Sequence, residues 1–115
     1  FSILNGGDEV LLFGLLAGSN GGVGATYNVM PDLFCRLYDA FIAQDFMLAK
    51  ALQQQVNEVI SLMIQYPVIG AVKWMLENQG FPVGETVFPD DPLSDIQKKQ
   101  LLRQLEDMHW QEVCR

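Results

Sequence analysis

The sequence predicts an α/β chain in which a short parallel sheet comes first and a larger helical part follows. Three observations carry that reading. The first 44 residues alternate brief apolar runs, closed by glycines, with stretches of helical period. Strand, helix, strand, helix is the pattern of a parallel sheet. After Asp45 the apolar residues recur almost entirely at three- and four-residue spacings, which is helical. Half of the 115 residues are hydrophobic and 18% are charged, a globular composition with enough chain for one core.

Phe1 to Leu4 reads as a buried strand stopped by Asn5-Gly6-Gly7. Asp8 is placed to cap a helix carrying Val10, Leu11, Leu12, Leu15 and Leu16, which Gly18 ends. Val23 to Val29 reads as the second strand, entered through Gly21-Gly22, with Gly24 and Ala25 leaving space on its faces. Pro31 fits the first position of a helix whose stripe is Leu33, Phe34, Leu37, Tyr38 and Phe41. Asp45 opens a long helix with Leu48, Leu52, Val56, Val59, Ile60 and Met63, ending before Pro67. Val68 to Gln79 is a further helix, stopped by Gly80, and the proline-rich stretch from Phe81 to Pro92 is extended loop. Ser94 and Gln97 form a capping box for the last helix, with Ile96, Leu101, Leu102 and Leu105 as its stripe. Residues 1–44 therefore read as one unit of strands and helices, and 45–115 as an extension of three helices.

Charge and composition exclude several functions. With 14 acidic against 7 basic residues the net charge is −7, so neither nucleic acid nor an anionic membrane is an expected partner. No apolar run reaches the ~18 residues of a membrane span. Cys35 and Cys114 are far apart and read as free thiols of a reducing, cytoplasmic compartment. Cys35, two residues from both Leu33 and Leu37, reads as packed. His109 has no metal-ligand companions, and no metal or cofactor is expected. The chain opens inside what reads as a strand, as a fragment does.

Two segments could carry chemistry. Asn5-Gly6-Gly7-Asp8-Glu9 sits at the carboxyl end of a strand, where ligands gather in parallel folds. Its glycines admit a ligand close to the backbone, and its carboxylates accept hydrogen bonds from hydroxyls. The same pair also suits a plain cap and a solvated charge. The second segment, Gly21-Gly22-Val23-Gly24-Ala25-Thr26-Tyr27-Asn28, runs into a strand instead of opening a helix and lacks a following Lys-Ser or Lys-Thr pair. A nucleotide-binding loop is thereby disfavoured.

Taken together, Asn-Gly-x-Asp-Glu, then Gly-Leu-Leu-Ala-Gly, then Gly-Gly-x-Gly-x-Thr-Tyr-Asn resembles strands seven and eight of the N-acetylneuraminate lyases. The likeness is close from Leu4 to Asn28 and looser beyond, through Gly70-Ala71-Val72-Lys73 and Gly80-Phe81-Pro82-Val83-Gly84. That second half is shared with dihydrodipicolinate synthases. The resemblance implies the last two β/α units of a (β/α)8 TIM barrel plus a C-terminal helical extension. It implies a class I aldolase, in which a lysine on the sixth strand forms a Schiff base with pyruvate and a 2-oxo-3-deoxy sugar acid is cleaved or made.

By the same resemblance Gly6, Asp8 and Glu9 fall where the sugar-like aldehyde is held. Ala25 stands where these lyases usually carry a serine, and its missing hydroxyl leaves room for a sugar acid other than sialic acid. No catalytic residue falls within the chain, since a barrel takes roughly 250 residues and the four lysines, Lys50, Lys73, Lys98 and Lys99, lie in helical stretches. Lys73 is expected to pack its stem and bond a carboxylate or carbonyl. Pyruvate and an aldehyde are the implied small molecules, and a homo-oligomer the implied assembly. A dihydrodipicolinate synthase-type condensation is the alternative activity. A non-catalytic, self-associating piece is the alternative of another kind.

Overall fold

The computed structural model describes residues 1–113 and starts with a parallel pair of very short strands. β1 (Leu4–Asn5) pairs with β2 (Gly21–Gly22), Leu4 beside Gly21 and Asn5 beside Gly22. A 3-10 turn (Asp8–Val10) and helix α1 (Leu11–Leu16) connect them. A second 3-10 turn (Thr26–Asn28) leads into α2 (Pro31–Ile42), followed by α3 (Phe46–Met63) and α4 (Val68–Asn78). After a long loop come α5 (Asp95–Asp107) and the four-residue α6 (Trp110–Val113). Cys114 lies outside the described residues.

The helices begin and end for local reasons. Pro31 takes the first position of α2, where its missing N–H costs nothing. Asp45 caps α3 by accepting from the Leu48 N–H at 3.1 Å. Ser94 and Gln97 bond each other's backbone at the start of α5, the expected capping box. Gly18 and Gly80 follow α1 and α4 with φ of +103° and +93°, a conformation that glycine adopts without a Cβ penalty.

One core runs through the chain. α2 lies along α3 and buries Leu33, Phe34, Leu37 and Ala40 against Leu52, Val56, Val59 and Met63. Met75 of α4 and Leu101 and Leu105 of α5 complete it. α3 and α4 meet at 108°, and no single helix is long and apolar enough to cross a membrane. The loop between α4 and α5 is pinned at two points. Lys73 Nζ donates to the Glu85 carbonyl at 2.8 Å, as its expected structural role requires, and Leu93 is buried.

Several expectations need correction. The opening run is not a buried strand: Phe1, Ile3 and Leu4 are exposed, because no second layer covers that face among the described residues. Val23 to Val29 is not a strand; β2 ends at Gly22, one further bond from Val23 ends the pairing, and the chain turns where Thr26 is captured by Asp8. Ile96 is 71% and Leu102 42% exposed; they point 140° and 100° away from Leu101, and only the Leu101–Leu105 line meets the core. Cys35 is exposed, since it stands 200° around α2 from Leu33.

Gly70, buried on α4, is close-packed against the returning loop. A Cβ there would lie 2.8 Å from the Asp91 carbonyl oxygen and 3.3 Å from the Leu93 nitrogen, both backbone atoms. Gly70→Ala should therefore destabilise the chain by about 1–3 kcal/mol despite alanine's better helix propensity. A lowered urea midpoint is the expected result, and a raised one would mean that the loop yields freely.

Candidate functional site

Parallel pairing sends the carboxyl ends of β1 and β2 the same way, so the loops after them lie side by side. The Val23 N–H donates to the Asn5 carbonyl at 2.9 Å and carries the pairing one step past β2. Within the first loop Asn5 Nδ2 donates to the Gly7 carbonyl at 2.6 Å.

Asp8 joins the two loops. It is only 9% exposed, and its Oδ2 accepts from the Thr26 N–H at 2.9 Å and from Thr26 Oγ1 at 2.5 Å. The expected capping role is not what it does: its carboxylate leaves its own turn and crosses to the other loop. Charge-assisted bonds of this kind offset the cost of burying a carboxylate. Gly24 makes the crossing possible, because a Cβ on it would collide with that carboxylate.

The candidate residues come together. Gly6, Asp8 and Glu9 share one open depression of about 280 Å³ with Gly24, Ala25 and Thr26. Ile60 and Met63 of α3, Ile64 just beyond its end and Val68 of α4 form the wall facing them. Glu9 is exposed, and both hydrogen bonds to Asp8 fall on Oδ2. Carboxylate oxygens and backbone polar groups line one side and aliphatic carbon the other, a surface suited to a molecule with hydroxyls along one edge. A larger recess of about 460 Å³ between α2, α4, α5 and α6 contains none of the candidate residues. No group of three His, Cys, Asp or Glu among the described residues is arranged to hold a metal ion.

Sequence reasoning did not find the contribution of α3. Gln53 is 6% exposed in the core stripe of that helix. Its Oε1 accepts from the Leu12 N–H at 2.9 Å and its Nε2 donates to the Asp8 carbonyl at 3.1 Å. Asn57 Nδ2 donates to the Glu9 carbonyl at 3.1 Å. The available signal was a glutamine at an apolar position, between Leu52 and Val56. Thr26 was also missed; in a strand it would have been one polar residue among several.

Tyr27, beyond Thr26, stacks on Phe34 with ring centroids 3.8 Å apart. Its hydroxyl is pushed up to about 12 from the ordinary 10, first by burial and then by the negative charge of Asp8, with the Asn5 side chain pulling the other way. It packs against the back of the site and does not line the depression.

The chain is similar to a known family and to several solved structures. A model of the dihydrodipicolinate synthetase family matches residues 1–108. N-acetylneuraminate lyase 2 of Escherichia coli O6:H1 is 34% identical over 99 residues, covering 86% of this chain and 32% of the relative. The N-acetylneuraminate lyase of Rhizobium meliloti is 38% identical over 87 residues, covering 76% of this chain and 29% of its own. Among solved structures, the Ruminococcus gnavus sialic acid aldolase superposes with a TM-score of 0.83 at 27% identity, over 96% of this chain and 39% of that one. The Proteus mirabilis N-acetylneuraminate lyase gives 0.82 at 28% identity, over 93% and 36%. The chain thus spans about a third of the length of the curated relatives it matches.

The raised Tyr27 value fixes a pH dependence. Between pH 10 and about 12 the unfolded chain releases this phenolic proton while the folded chain keeps it. The stability this group contributes is therefore full below pH 10 and is lost as pH rises to about 12. Tyr27→Phe should flatten the fall of the urea midpoint across that window. An unchanged slope in the variant would contradict the assignment.

Proposed function

Because the chain belongs to the dihydrodipicolinate synthetase family, we propose that it forms the last two β/α units and the helical extension of a (β/α)8 aldolase barrel. In this reading the parent enzyme cleaves, or makes, a 2-oxo-3-deoxy sugar acid through a pyruvate imine, and this part lines the aldehyde side. Pyruvate and a sugar-like aldehyde are its small molecules, and a cytoplasmic homo-oligomer its working form.

One observation carries the reading. Asp8, bonded to Thr26, draws the two glycine loops into a single depression at the carboxyl ends of parallel strands, the end at which barrel enzymes work. There the exposed Glu9 can accept hydrogen bonds from substrate hydroxyls. The Oδ1 of Asp8 can do the same beside Gly24. Ala25 offers no hydroxyl in return, which favours a sugar acid with one fewer polar demand at that position than sialic acid makes.

The chemical step belongs to residues outside this chain. An imine-forming lysine needs a free amine within reach of the carbonyl carbon. Lys73 spends its amine on the Glu85 carbonyl, and Lys50, Lys98 and Lys99 stand on α3 and α5 away from the depression. A condensation of the dihydrodipicolinate synthase type would use the same imine and remains the alternative activity. A non-catalytic, self-associating role has its own support: among the described residues β1 and β2 pair only with each other, and Phe1, Ile3, Leu4 and Val23 are exposed around them.

Incubation with pyruvate and borohydride, followed by intact mass measurement, tests the assignment. The 12.9 kDa chain should gain no pyruvyl adduct. An adduct on any of its lysines would overturn the reading that the imine former lies elsewhere.

A further inference from the structure

The helical extension reaches the glycine loops through two amides. Gln53 and Asn57 stand one turn apart on α3 and bond each other, Gln53 Nε2 to Asn57 Oδ1 at 3.0 Å. Between them they take the carbonyl of Asp8, the carbonyl of Glu9 and the N–H of Leu12. These are backbone groups of the turn that carries both carboxylates and of the helix that follows it. No other side chain of α3 bonds that turn among the described residues.

A buried glutamine in a core stripe is costly unless both ends of its amide are bonded, and here both are. Leucine at this position would suit the stripe but leave the Leu12 N–H and the Asp8 carbonyl unpaired. The amides restrain the backbone of residues 8 and 9, and so fix the direction in which Glu9 projects and the approach of Asp8 to Thr26. Ile60, three residues beyond Asn57 on the same face of α3, and Ile64, the residue that ends the helix, wall the depression that those carboxylates border. One helix face thus supports the turn and shapes the space in front of it.

Resting on the reading that this depression takes the aldehyde portion, the geometry points to Gln53 and Asn57 as positioning residues for that half of the substrate. They touch no substrate themselves. They hold the Asp8–Glu9 turn in the attitude at which the substrate meets it.

The test follows the backbone amide signals of the isotope-labelled 115-residue chain by NMR during titration with 2-oxo-3-deoxygluconate, a sugar acid of the proposed class that lacks the N-acetyl group of sialic acid. In the unaltered chain the amides of Gly6, Glu9 and Gly24 should shift saturably. Asn57→Asp keeps the size of the side chain and its acceptor for Gln53, but turns a negative oxygen toward the Glu9 carbonyl. It should weaken the titration by roughly three- to tenfold, the loss of about one hydrogen bond. Leu101→Ala, in the core of α5, should lower the urea midpoint while leaving the titration unchanged. Equal affinity in Asn57→Asp and the unaltered chain would overturn the positioning role and leave the reading of the depression standing. Equal weakening by Leu101→Ala would also overturn it, since the effect would then follow stability alone. No saturable shift in the unaltered chain would overturn the reading of the depression and this inference with it.

Discussion

The arrangement depends on one carboxylate taken out of water. Asp8 is nearly buried, and a buried carboxylate without partners would cost several kcal/mol. Its bonds to the backbone and hydroxyl of Thr26 are what make that position tolerable. Because those bonds cross from one loop to the other, the chain cannot satisfy Asp8 without bringing the loops together. The same demand explains why residue 24 is glycine, why the second strand stops at Gly22, and why a 3-10 turn stands where extended backbone was expected.

A second constraint comes from the strands themselves. Two residues of pairing on each side supply little stability, so the loops need support from elsewhere. α3 provides it. Its buried face anchors the helical core, and Gln53 and Asn57 on the same helix satisfy backbone groups of the Asp8–Glu9 turn. The candidate site therefore leans on the extension as much as on the sheet. The aliphatic wall of Ile60, Met63 and Ile64 places part of that extension in the site.

The helices were legible in the sequence wherever an amphipathic stripe met a cap. Asp45, Ser94 with Gln97, Pro31 and Gly80 mark ends that the structure reproduces within a residue or two. The grouping of Gly6, Asp8, Glu9 and Ala25 was legible too, through the motif that carries the family resemblance. The bonds that group them were not. A sequence shows that Asp8 precedes a helix, and capping is the usual fate of such a residue; the pull of Thr26, 18 positions away, is a tertiary effect. Burial of the opening strand was misjudged for a similar reason, since Phe1 to Leu4 has the composition of a covered strand but no covering layer among the described residues. Gln53 was passed over because periodicity reads the apolar members of a stripe and skips the polar one, which here makes the contact.

The most direct test of this account is a double-mutant cycle in urea between Asp8→Ala and Thr26→Val, with the double variant. If Asp8 holds the loops together through Thr26, the two losses will overlap and the coupling energy will be about 1–2 kcal/mol. Additive losses would contradict the account, because the loops would then be held together by something other than this bond.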